Sequence, residues 1–410
     1  MSESENSTNN QLPPPSPSIP LVATSSMASF FSYARFAERT RTNRDSQFYY
    51  RDGSAVFLVG NKLFKIQASP LAADVEDYEF KHLVKDAIDG FEDGTDKPGT
   101  DDAHPIVLPA DVTEGQFRDF LMVVYGGVTN HAFLTFLRVL QTPLNYSPLL
   151  VSRLTDIGYL GCRFGMKRLD SWSQSQIHTI LRHFVATNRL TDDWDAQVFL
   201  RLVQYIQNAT VTFQRAKIPP LMIHIISALV KKAYELNDEI PQGNIIDVCA
   251  TLYQDKDVLI NSPVIFGLIF AVIVSLGPQS PVWTDRLTRE DRRVLYAANS
   301  TLTRLSSHTD LDIGWVVDPT PVKVVCSRCS SNFDASWENA FSQCKGLKSR
   351  VPSKDIRHVV CLPAYRTRFL LISSTVRCPC SNKTSINMNQ RIELLYCGLT
   401  EKYKFLAETI

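Results

Sequence analysis

The order of apolar and polar positions changes its period several times along the chain. Val56-Phe-Leu-Val59 and Leu63-Phe-Lys-Ile66 are β-prone apolar runs on either side of Gly60-Asn61-Lys62. Gly and Asn tolerate the positive φ that a tight turn needs, so residues 49–66 predict a β-hairpin. Leu71, Phe80, Leu83, Val84 and Ile88 then supply one face of a helix. The acidic, Gly-rich stretch from Gly90 to Ala103 has no apolar period and predicts an exposed loop. Pro105-Ile-Val-Leu108 is a short strand candidate. Thr113-Glu-Gly-Gln116 has capping-box spacing, in which a hydroxyl and an amide side chain satisfy free backbone donors at a helix start. Phe117, Phe120, Leu121, Val124 and Tyr125 form the buried stripe of that helix, and Gly126-Gly127 ends it.

Helical spacing continues through Ala132 to Gln141, Ser147 to Gly158 and Met166 to Leu181. It persists to about residue 310, with one stripe at Val198, Leu202, Val203 and Ile206 and another at Leu221, Ile225, Ile226 and Leu229. Thr288 caps a further helix through Asp291. No repeat of fixed period is present, so a solenoid is not indicated. Near the end the pattern shortens. Val322 to Val325 reads as a strand leading into Cys326-Ser-Arg-Cys329, and Phe369 to Val376 as a strand leading into Cys378-Pro-Cys380. Residues 1–44 follow no period and are rich in Ser, Asn and Pro, a composition that buries too little apolar area to offset its ordering entropy. The expected organisation is α+β: a disordered tail at 1–44, an α/β unit at 45–175, a helical region at 176–315, and a small Cys-rich α+β module at 316–410.

Within 45–175, several stretches carry a likeness. They are Tyr50-Arg-Asp-Gly-Ser-Ala-Val-Phe-Leu-Val59, Leu63-Phe-Lys-Ile66, Leu71-Ala72, His104-Pro-Ile-Val-Leu-Pro109 and Phe117-Arg-Asp-Phe-Leu-Met-Val-Val-Tyr-Gly-Gly127. Together with Leu149 to Leu169, this stretch resembles a BTB/POZ domain of the type expanded in mushroom-forming fungi. The last of the quoted runs is similar to the family's Phe-x-x-x-Leu-x-x-x-Tyr-x-Gly helix. Gln67-Ala68 departs from the His or Arg usual after the second strand, and Asp74 to Phe80 replaces the usual Ser-x-x-Phe helix start. The resemblance covers about a third of the chain. It implies a self-associating interaction module, with Phe30 to Phe48 and the helix after Leu71 in the region of the dimer surface. It also implies a cullin ubiquitin-ligase scaffold as a partner of some members. Phe91-Glu-Asp93 fits a loose cullin-docking triplet, and equally a solvated acidic loop.

Composition narrows the remaining chemistry. The 410 residues carry a net charge of +1, with 44% hydrophobic and 21% charged. Sizeable cores are affordable, and no global charge draws the chain to nucleic acid or anionic membrane. The N-terminus lacks a basic stretch followed by an apolar core, and the most apolar run, Val264 to Leu276, is shorter than the roughly 20 residues a bilayer requires. An intracellular location, cytoplasmic or nuclear, is expected. Seven of nine cysteines lie between Cys326 and Cys397. In a reducing compartment such clustering points to metal or free thiols. Cys326, Cys329, Cys378 and Cys380 form two close pairs, which predict either a tetrahedral zinc site or four separate thiols. Cys344, Cys361, Cys397 and His358 are alternative ligands. No phosphate-binding loop, dinucleotide fingerprint, His-Glu-x-x-His or Gly-x-Ser-x-Gly occurs, and cysteines paired for metal coordination are not available as nucleophiles.

The expectation is therefore a non-enzymatic adaptor that recruits a protein client. The alternative is a nucleic-acid-associated regulator using Arg350, Lys354, Arg357, Arg366, Arg368 and Arg377 around the terminal module, although aromatic interleaving there is thin.

Overall fold

A computed structural model describes residues 43–409, apart from 73–78, 94–96, 128, 188–189, 191–192, 208–217, 237–243, 303–304, 306–310, 312, 328, 343–355, 374–377 and 379. The tail expectation for 1–42 lies outside the described residues.

The hairpin forms where expected. β2 (Ala55–Val59) and β3 (Lys62–Ile66) pair antiparallel, with Phe57 opposite Phe64. Gly60 sits at φ 57°, a conformation that costs a residue with Cβ and is free for glycine. β1 (Asn43–Tyr49) adds to β3 in parallel, and β4 (Ile106–Val107) adds to β2 in parallel, giving the order β1-β3-β2-β4. Alternation divides the hairpin between two cores. Phe57, Val59, Phe64 and Ile66 join the main core, while Val56, Leu58 and Leu63 form a small cluster on the opposite face with Tyr49 and Val107.

β1 was not expected, because Asn43-Arg-Asp-Ser-Gln-Phe-Tyr49 lacks alternating apolar residues. Its attachment is polar. Asp45 is buried, accepts the backbone N–H groups of Gln47 and Phe48, and meets Arg118 Nε at 2.7 Å. Asn43 and Arg44, assigned to the tail, therefore belong to a strand.

Short α1 (Ser69–Ala72) and α2 (Glu79–Asp93) follow the hairpin. Phe91-Glu-Asp93 closes α2, so the triplet is helical and the loop expected from Gly90 begins later. α3 (Glu114–Val124) carries the capping box in full, with Thr113 Oγ1 accepting from Gln116 N at 3.3 Å and Gln116 Oε1 accepting from Thr113 N at 2.8 Å. Phe117, Phe120 and Leu121 are buried beneath the sheet. α4 (His131–Gln141), α5 (Pro148–Arg163) and α6 (Lys167–Thr187) complete this end.

α7 (Ala196–Gln207), α8 (Ile218–Leu236), α9 (Asn244–Gln254), α10 (Lys256–Asn261), α11 (Pro263–Leu276) and α12 (Arg289–Leu302) form the middle. The reciprocal cap at Thr288 and Asp291 is present. α11 is apolar all round and buried by neighbours on every side, as such a helix must be. Among the described residues no helix is long and apolar enough to cross a membrane. α6 runs unbroken across positions 175 and 176, and buried residues from Phe48 to Leu406 form one contiguous core.

α13 (Ser330–Ser342), α14 (Ile356–Ser373) and α15 (Cys380–Thr409) make the C-terminal part. Both strands expected there are absent among the described residues. Phe369 to Ser373 ends α14, because the apolar run was the tail of a longer helix buried on most faces, and a short apolar run does not by itself distinguish helix from strand. Residues 374–376 lie outside the description. Val322 closes a turn on Pro319 O, and residues 323–325 are irregular and join no sheet. The backbone of this segment is satisfied by α15: Val324 N donates to Thr384 Oγ1 at 3.1 Å, Thr384 Oγ1 donates to Val324 O at 3.2 Å, and Asn387 Nδ2 donates to Val322 O at 3.4 Å.

Candidate metal centre

The four cysteines of the two pairs converge. The Sγ atoms of Cys326, Cys329, Cys378 and Cys380 all lie within 4.8 Å of one another. Cys326 Sγ is 3.7 Å from Cys329 Sγ and 3.4 Å from Cys378 Sγ. A tetrahedron of thiolates around zinc, with bonds of ~2.3 Å, places sulfurs about 3.8 Å apart. The set is slightly looser at its widest than that ideal and close to it at its core.

Two helix starts and one pinned segment bring the sulfurs together. Cys326 and Cys329 occupy the turn before α13, where Cys326 N donates to Cys329 Sγ at 3.3 Å. Cys378 and Cys380 straddle the start of α15, and Cys378 O accepts from Ser381 N and Ser381 Oγ. The positive ends of both helix dipoles thus face the sulfurs, which favours thiolate over thiol. Crowding opposes it: the contact with Cys378, then burial, Cys326 and Cys329 push the Cys380 thiol up to about 12. Four soft sulfur donors held near tetrahedral spacing are the donor set that suits a divalent thiophilic cation.

The spacer between the pairs folds as helix, with residues 343–355 outside the description. α13 stacks Phe333, Trp337 and Phe341 along one face, with Trp337 and Phe341 centroids 4.3 Å apart. Phe369 of α14 packs edge-on against Phe333 and Trp337 at 5.4 and 5.3 Å. This aromatic seam seats α13 on α14.

The alternative ligands go elsewhere. Cys361 and His358 are buried within α14, and Cys397 is half-buried on α15 with its thiol pushed up by burial. Cys344 lies outside the described residues. Cys249 is buried and its thiol is pushed up to about 12 by burial, so it is an inert core residue.

The basic cluster disperses. Arg350, Lys354 and Arg377 lie outside the described residues. Arg366 is turned inward onto Ser385, and burial pushes its guanidinium down to about 10. Arg357 lies over the Tyr234 ring at 5.9 Å, and Arg368 lines a separate groove.

One polar constellation was not anticipated. A cleft of about 660 Å³ between α3, α5 and α7 is floored by Asp156, which accepts from Gln116 Nε2 at 2.9 Å and pairs with Arg201 at 2.8 Å. Arg201 also donates to Ser152 Oγ at 2.9 Å, tying α7 to α5. Arg153 binds Asp119 through two nitrogens nearby. Burial outweighs Arg201 and lifts the Asp156 carboxyl from 3.8 to about 6. The sequence signal was a carboxylate set among Leu154, Thr155 and Ile157, on the buried face of α5.

In the dimer region implied by the resemblance, residues 43–48 form the edge strand β1, and the helix after Leu71 is α1 with the start of α2. Comparison of the chain with protein-family models, with curated proteins and with solved structures finds no match.

Proposed function

We propose that the chain is a non-catalytic, self-associating adaptor of the BTB type whose C-terminal region is held by one structural zinc ion. The observation that carries the adaptor reading is the order of the sheet. A hairpin and a helix, then a short strand that joins the hairpin's sheet and leads into a capped helix rich in buried Phe, follow the order of elements read from the sequence. Self-association, client recruitment and docking onto a cullin scaffold follow from the BTB/POZ resemblance. For zinc the support is the convergence of four sulfurs from positions 52 residues apart. Cys326, Cys329, Cys378 and Cys380 would be its ligands. Bound zinc would supply a cross-link and no open coordination position, so its part is folding.

Light scattering on the full chain tests the adaptor reading, with a dimer expected at tens of micromolar, where specific interfaces are populated. A monomer throughout that range would remove its main premise. Native mass spectrometry tests the second part, with one zinc per chain expected. A metal-free chain that keeps its fold would dismiss it.

A further inference from the structure

Away from the cysteines, helices α6, α8 and α14 enclose a groove of about 420 Å³, within the range of small-molecule sites. Its depth comes from two small residues on facing helices, Ala228 and Ala364, where larger side chains would close the gap. Phe184, Leu190, Ile225 and Leu371 make apolar walls, and Leu371 is 53% exposed at the mouth. The rim is cationic. Among the described lining residues, Lys231, Lys232 and Arg368 are the cations and Glu235, which pairs with Lys231, the carboxylate.

The polar groups at the floor face inward. His224 Nδ1 donates to Pro363 O at 3.0 Å, and Thr367 Oγ1 donates to the same carbonyl at 3.1 Å. A peptide seated in the groove would bring its own N–H and C=O groups to a floor already committed in this way, and each buried backbone group left unpaired costs binding energy. A polymethylene chain carries no such groups. It gains from the apolar walls, and a single anionic head meets the cationic rim.

We infer that this groove binds a long-chain carboxylate amphiphile, with its alkyl chain between Ala228 and Ala364 and its carboxylate at Lys231, Lys232 and Arg368. The lining comes from α6, α8, α14 and Leu190 and includes no sheet residue and none of the four cysteines, so its test is separate from those of both readings above.

Fluorescence titration of the full chain with 11-(dansylamino)undecanoate tests it. Saturable binding of one probe per chain is expected, with displacement by oleate. Oleyl alcohol, which keeps the chain and loses the charge, should compete at least about tenfold more weakly, as the loss of a charge-assisted contact implies. Ala364→Leu fills the floor, and Leu371→Glu places a like charge at the mouth; each should weaken the probe at least about tenfold. Leu144→Glu, on an exposed residue of the sheet-containing end, should leave it unchanged. Because Ala364→Leu is the variant at risk of misfolding, circular dichroism accompanies it, and Leu371→Glu on the surface stands as the second reading. The inference is overturned by non-saturating fluorescence, by equal competition from oleyl alcohol, or by unchanged affinity in Leu371→Glu.

Discussion

The sheet-containing end and the cysteine-bearing end are built on different terms. From Asn43 to Arg163 two elements close on themselves, a hairpin with its own turn and a helix with its own cap, and the polar strand β1 leans on a distant partner, Arg118. Among the described residues from Val322 to Thr409, the elements lean on one another. The 322–325 segment borrows hydrogen bonds from α15, and α13 rests on an aromatic seam. α14 contains Pro363, which has no N–H to offer Val359 O four residues earlier. Tyr396 OH of α15 donates to that carbonyl at 2.9 Å, and Ser227 Oγ of α8 donates to Val360 O at 2.7 Å. Local signals stabilise the first end; distant partners stabilise the second.

The largest test strikes where the distant partners meet. A Cβ on Gly267 would stand 1.9 Å from Tyr396 O, so Gly267→Ala must drive α11 and α15 apart. A loss of about 3 kcal/mol or more in urea unfolding is expected, despite alanine's better helix propensity. Gly127→Ala, with nothing near its added Cβ, should cost far less. An equal cost at both glycines would dissolve the contrast.

Next comes the proposed zinc site. Chelation, or Cys326→Ser, should raise amide exchange across 322–342 and the start of α15 while leaving β2, β3 and α3 as protected as before. Zinc affinity should fall more than the 10–100-fold typical of losing an outer contact. Uniform loosening would mean that the two ends are not separable in this way.

A smaller effect sharpens the comparison to one atom. Tyr396→Phe leaves Val359 O buried without its donor and should cost about 1–3 kcal/mol. In a Pro363→Ala background the helix regains its own N–H, and the cost of Tyr396→Phe should shrink. Additive costs in this double-mutant cycle would show that the tyrosine does not stand in for the missing donor.

At the sheet end, Asp156 gives a pH signature. Its folded carboxyl titrates near 6 and its ordinary value is 3.8. Between those values the folded state holds a proton that the unfolded state has released, so stability falls as pH rises through that window. Asp156→Asn should flatten the slope of unfolding midpoint against pH between about 4 and 6. An unaltered slope would assign the titration to another group. The smallest effect belongs to Arg44→Ala, whose exposed pair with Asp102 should leave the melting temperature within error.

The same contrast explains what could be read from the chain alone. Gly60-Asn61 between apolar runs and Thr113 with Gln116 are local signals, and both elements form there. The cysteine pairs were legible because each is local, even though their meeting is not. β1 was hidden because an edge strand attached through a buried aspartate shows no apolar alternation. The terminal strands were misread because α14 and the 322–325 segment owe their conformation to α8 and α15, which no short window contains.

Pro363 has a consequence for the order of events. A helix whose proline leaves Val359 O without a helical donor cannot be finished by local propagation alone. α14 must wait for Tyr396, 37 residues downstream, to supply that donor, while Ser227, 133 residues upstream, adds a bond to Val360 O. It behaves as the last piece of an arch, set only when both supports stand, and in a refolding experiment its amides should gain protection after those of α8 and α15.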